Sequence, residues 1–128
     1  MVRAAYLAVV VALAGCSQQD DRICITPLDL TAMQAIPNTI DGYERKLDAC
    51  VHRWAYRIAG AEGSAADLGR AAVGGCDDAV LYFASAKGEP NGGDPSGYAR
   101  ERAEAIRAFS RKGAFYVATA RAGRCNIP

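Results

Sequence analysis

Apolar positions recur at helical spacing along most of the chain, and no stretch alternates apolar with polar residues over a strand's length. Tyr43, Leu47, Cys50, Val51, Trp54 and Ile58 fall three or four apart, and Asp41-Gly42-Tyr43-Glu44 reads as the capping box that opens their helix, which runs to Ala59. After a turn at residues 60–63, Ser64-Ala65-Ala66-Asp67 caps a second helix. Its inward face is Leu68, Ala72, Cys76, Ala79, Val80 and Phe83, and Gly88 follows as a C-cap. Residues 88–96 (GEPNGGDPS) carry two prolines and three glycines and form a loop. Asp94-Pro95 then starts a last helix with Tyr98, Ala105, Ile106, Phe109, Gly113, Tyr116 and Ala120 inward and Gly123 at its close. Ahead of these, Thr26-Pro27-Leu28-Asp29 predicts a short helix ending before Pro37. The pattern predicts an all-α fold, a short N-terminal helix followed by an antiparallel three-helix bundle.

The first residues follow a different logic. Arg3 precedes an uncharged apolar run at residues 4–14 (AAYLAVVVALA), too short for a membrane span of roughly 20 residues and suited to the core of an export signal. The run ends in Leu13-Ala14-Gly15-Cys16, which resembles the lipobox of bacterial lipoproteins. That resemblance implies a diacylglyceryl group on the Cys16 sulfur and cleavage before Cys16; beyond this covalent lipid no cofactor is expected, since no metal or phosphate-cradling motif is present. In many Gram-negative bacteria the residue after the lipidated cysteine sorts the protein. Ser17 in place of Asp implies the outer membrane, with the protein facing the periplasm. Two alternatives stand beside it: Ala12-Leu13-Ala14 also fits an ordinary signal-peptidase site, and the run could be kept as an anchor. The expected organisation is a signal peptide at 1–15, a lipidated cysteine and tether at 16–22, and a disulfide-bonded helical domain at 23–128.

Cysteine arithmetic bears on this choice. If Cys16 carries lipid, Cys24, Cys50, Cys76 and Cys125 remain, an even set able to pair in an oxidising compartment. Facing residues of an antiparallel hairpin share a midpoint, and that of Cys50 and Cys76 falls at 63, inside the expected turn. Cys50–Cys76 is therefore the preferred pairing of three, leaving Cys24 with Cys125. The segment 49–79, Cys50-Val51-His52-Arg53-Trp54-Ala55-Tyr56 above all, is also similar to stretches of small exported alphaproteobacterial proteins. This resemblance implies the cysteine-paired framework and no activity.

Charge narrows the partners. Loss of residues 1–15 removes Arg3 and leaves 14 basic against 14 acidic side chains, so bulk charge points to no polyanion and the compartment to no nucleic acid. Much of the 51% apolar share is alanine, which buries little area per residue and predicts a thin core. Gly74-Gly75 beside Cys76 is costly in a helix and implies close approach of a neighbour.

Asp48, His52 and Tyr56, spaced four apart, are the most chemical-looking group, since a carboxylate orienting an imidazole suits proton transfer. Their face lies opposite the Leu47, Trp54, Ile58 stripe and is expected in solvent, where it would serve as a partner contact or remain a surface or locally packed face. No nucleophile accompanies them in the sequence. The cysteine spacings match no zinc or C-x-x-C pattern, and no metal is expected. On the last helix Arg100, Arg107 and Arg111 form a basic stripe able to meet anionic lipid or an acidic protein. Trp54 is expected in the core. The expected role is a non-catalytic interaction or structural module anchored in the envelope, with the membrane and an envelope protein as partners. A periplasmic inhibitor or immunity protein using the loop 88–96 as a plug is the alternative, and an enzyme working through Asp48, His52 and Tyr56 is the third reading.

Overall fold

A computed structural model describes residues 24–88, 95–123 and 125. The leader, Cys16, the tether and most of the glycine-rich loop lie outside them. Five helices follow in order: α1 (Leu30–Gln34), α2 (Ile40–Ile58), α3 (Ala65–Gly74), α4 (Asp77–Gly88) and α5 (Pro95–Gly123). Among the described residues there is no strand, and the fold is all-α.

Caps set most boundaries, though not always the expected ones. The first helix is capped by Asp29, whose carboxylate accepts from the Ala32 N–H at 2.7 Å, so residues 26–28 are not helical and Pro27 is not its first residue. Thr39 rather than Asp41 caps α2, its hydroxyl accepting from the Gly42 N–H at 3.1 Å. Asp41 instead sits in the first turn, where its charge opposes the helix dipole. Ser64 caps α3 as expected, accepting from the Asp67 N–H at 3.1 Å.

The second predicted helix is two. It stops at Gly74, turns through Gly75 and Cys76, and resumes at Asp77. Consecutive glycines weaken the helix by about 1 kcal/mol each, while Asp77 and Asp78 favour a new N-terminus. Only one glycine is needed for packing: a Cβ on Gly75 would lie 2.8 Å from the Trp54 ring, whereas a Cβ on Gly74 would meet nothing within 4 Å. The bundle thus has four helices in three rods, the middle one broken.

Contacts fix the directions. Residues 50 and 43 of α2 meet 76 and 82, so the broken rod runs antiparallel to α2. Residues 48 and 59 meet 112 and 121, so α5 runs parallel to α2. Between the rods lie Leu47, Val51, Ala55, Ala72, Val73, Val80, Phe83, Phe109 and Val117, all buried, with the Phe83 and Phe109 rings edge-to-face at 6.0 Å. Trp54 packs against this core but is only partly buried.

Both expected disulfides are present. Cys50–Cys76 joins α2 to the break in the middle rod with Cα atoms 6.0 Å apart, and Cys24–Cys125 joins the two ends of the domain at 5.6 Å. The second bridge pins a strap, residues 24–36, that runs from the end of α5 back toward the start of α2 and buries Ile36.

Candidate functional site

The group Asp48, His52 and Tyr56 does come together, but not on a solvent face. With α5 parallel to α2, the face opposite Leu47 and Trp54 is covered by α5 and the strap, leaving His52 7% and Tyr56 5% exposed. The His52 ring stacks on Tyr116 at 4.1 Å and meets the edge of Tyr56 at 4.4 Å. Asp48, half-buried at the rim, accepts from the Tyr116 hydroxyl at 2.9 Å and pairs with Lys112 at 3.1 Å. At the other end the Ile25 N–H of the strap donates to the Tyr56 hydroxyl at 3.3 Å. The expectation of an exposed patch failed because it treated one helix alone, whereas an inner rod contacted on several sides buries more than one stripe.

Two partners escaped the sequence reading. Tyr116 had an inward position in the α5 pattern but no sign of pairing with Asp48, and Lys112 is 64 residues from Asp48 in the chain. The inward position of Tyr116 was the one available clue.

The array is electrostatically conservative. Burial lowers the His52 pKa below its ordinary 6.5, outweighing the opposing pull of the Asp48 charge and the Ile25 backbone. Burial likewise pushes the Tyr116 phenol upward, reinforced by its hydrogen bond to Asp48. The buried His52 Nε2 has no hydrogen-bond partner. His52, its charged form disfavoured, is thus packed between the Tyr56 and Tyr116 rings with one unspent polar atom.

A pH dependence follows. Because the folded pKa lies below 6.5, the unfolded chain binds the His52 proton more readily; this stabilisation is complete above pH 6.5 and is lost as pH falls through it toward the folded value. The Tm of the native protein should therefore drop between about pH 7 and 5, and His52→Phe, which keeps a ring between the tyrosines and removes the orphan nitrogen, should flatten that slope. Equal slopes in both proteins would show that His52 is not held neutral.

The basic stripe divides. Arg100 lies 3.8 Å from Glu101 near the start of α5. Arg107 and Arg111 are exposed and, with Arg70 of α3, line an open groove of about 810 Å³ together with Ala66, Ala108 and Ala114. Asp67 pairs with Arg70, and Glu104 also borders the groove. No group of three or more His, Cys, Asp or Glu side chains among the described residues is placed to hold a metal.

No family model matches the chain, and neither a curated protein nor a solved structure is significantly similar to it.

Proposed function

We propose that this protein is a bacterial envelope lipoprotein, acylated on Cys16, which serves at the outer-membrane surface as a non-catalytic interaction or structural module. The observation that carries the reading is the closed pairing of the other cysteines. Cys24 with Cys125 and Cys50 with Cys76 use every other cysteine, leaving the lipobox sulfur as the fifth. Paired cysteines fit an oxidising compartment, and a lone sulfur directly after an apolar leader fits acylation. Two or three acyl chains exceed what stable anchoring needs.

The arrangement of the bundle supports the non-catalytic part. His52 and Tyr56 are packed between helices rather than presented to a substrate, so a protein partner would meet the exposed Arg70, Arg107 and Arg111 instead. Acidic side chains on that partner would complement the groove.

Cys16→Ser tests the anchor. Expressed in a Gram-negative host, the native chain should sediment and float with membranes, and the variant should move into the soluble fraction with both disulfides intact. A variant that stays with membranes as firmly as the native chain would remove the lipid as the means of attachment.

A further inference from the structure

Three of the large apolar side chains left exposed crowd the first seven described positions: Ile25 at 66%, Leu28 at 42% and Leu30 at 63%. The stretch 24–30 carries a single charge, Asp29, and that carboxylate is engaged in capping α1. The short helix itself buries none of its residues. The strap is nevertheless held, by the Cys24–Cys125 bridge, the Ile25 to Tyr56 hydrogen bond and buried Ile36. It therefore holds three exposed apolar side chains in place, beside exposed Thr26, Asp29, Thr31 and Gln34.

The chain before it indicates what covers it. Seven residues separate Cys16 from Cys24, so even fully extended they hold the start of the strap within about 28 Å of the acylated sulfur. Ile25, Leu28 and Leu30 are the first large apolar side chains after Cys16 among the described residues. A polar protein surface at that position would repel nothing and gain nothing, whereas leucine and isoleucine transferred from water to the acyl boundary gain free energy with every methylene removed from water.

We propose that Ile25, Leu28 and Leu30 form a lipid-contacting patch that seats the domain on the bilayer, with the strap against the membrane. This rests on the anchored reading and goes beyond it: the lipid sets the distance, and the patch sets the orientation.

The test uses the full acylated protein in phosphatidylcholine and phosphatidylglycerol vesicles with brominated acyl chains, which quench nearby tryptophan. Leu30→Trp is compared with Tyr82→Trp, also an exposed position (58%) but on α4, and the native Trp54 signal is subtracted. Because both sites face water, circular dichroism should show both variants folded like the native chain. Trp at 30 should shift to the blue and lose emission on brominated vesicles, while Trp at 82 keeps its emission. Equal quenching at both sites, or none at 30 in protein that floats with the vesicles, overturns the patch and leaves the anchor standing. A blue shift at 30 without lipid that grows with protein concentration would assign the patch to a second copy and also overturns it. Protein that carries no acyl chains and does not float removes the anchor, and the patch with it.

Discussion

Gly69→Ala should lower the stability of the protein by about 2 kcal/mol, although alanine is the better helix former. A Cβ at Gly69 of α3 would lie 2.4 Å from the Ala114 amide nitrogen, 2.6 Å from the Ser110 carbonyl oxygen and 2.9 Å from the Ala114 Cα. All three atoms belong to the α5 backbone, so no rotamer change relieves the contact and α3 must move away. Gly113 faces it across the crossing, its own Cβ position 2.8 Å from the Gly69 carbonyl oxygen. Overpacking of this kind costs about 1–3 kcal/mol or more, against which alanine returns only about 1 kcal/mol of helix propensity. Gly74→Ala supplies the internal contrast. With nothing within 4 Å of its Cβ, it should stabilise by up to about 1 kcal/mol. Urea midpoints of the two variants should move in opposite directions; a shared upward shift would mean that α3 and α5 do not cross at these glycines.

Replacing Cys50 and Cys76 together by alanine should cost about 3.5 kcal/mol, the chain entropy released by opening a loop of 26 residues. That is a large fraction of the stability of a domain this size. Loop length alone would rank the Cys24–Cys125 bridge higher, since it closes 101 residues and corresponds to about 4.7 kcal/mol. The structure reverses the order. Cys76 is buried at the junction of α2 with the broken rod, so losing that bridge loosens the core. Cys24 fastens only the strap, and without its bridge the strap can lift while the rods stay packed, which returns much of the entropy to the native state. Cys24→Ala with Cys125→Ala should therefore shift the urea midpoint less than the Cys50/Cys76 pair, while hydrogen exchange at the Ile25 amide rises sharply as its bond to Tyr56 opens. A larger midpoint shift for the Cys24/Cys125 pair would mean that strap and bundle unfold as one unit.

Much of this fold was legible because its signals are local. The 3.6-residue stripe of α2, the Ser64 cap, Pro95 at the head of α5 and the midpoint rule for Cys50 and Cys76 each depend on residues near one another in the chain. The misplacements have physical causes as well. Thr39 and Asp41 are both good caps two positions apart, and the earlier one won with Pro37 just outside it, where Gly42 packs so tightly that a Cβ on it would lie 1.8 Å from the Pro37 carbonyl oxygen. Leu68 to Phe83 keeps an apolar period through Gly74 and Gly75, so periodicity ran straight across a break that backbone entropy and the Trp54 ring dictate. The site was least legible. Whether Asp48, His52 and Tyr56 meet water depends on where α5 lies, and that is decided by Gly69, Gly113 and the strap rather than by α2. Gly113 fell on the inward face of the α5 pattern, but Gly69 did not stand out in α3, because glycine adds nothing to a hydrophobic stripe.

Five cysteine sulfurs should have three fates, and mass analysis of peptides from the non-reduced, membrane-extracted protein reads all of them together. The expected set is an acylated peptide beginning at Cys16, a cross-linked pair containing Cys24 and Cys125, and a second containing Cys50 and Cys76. A mature chain starting at any other residue, or a Cys16 sulfur found in a disulfide, would contradict it.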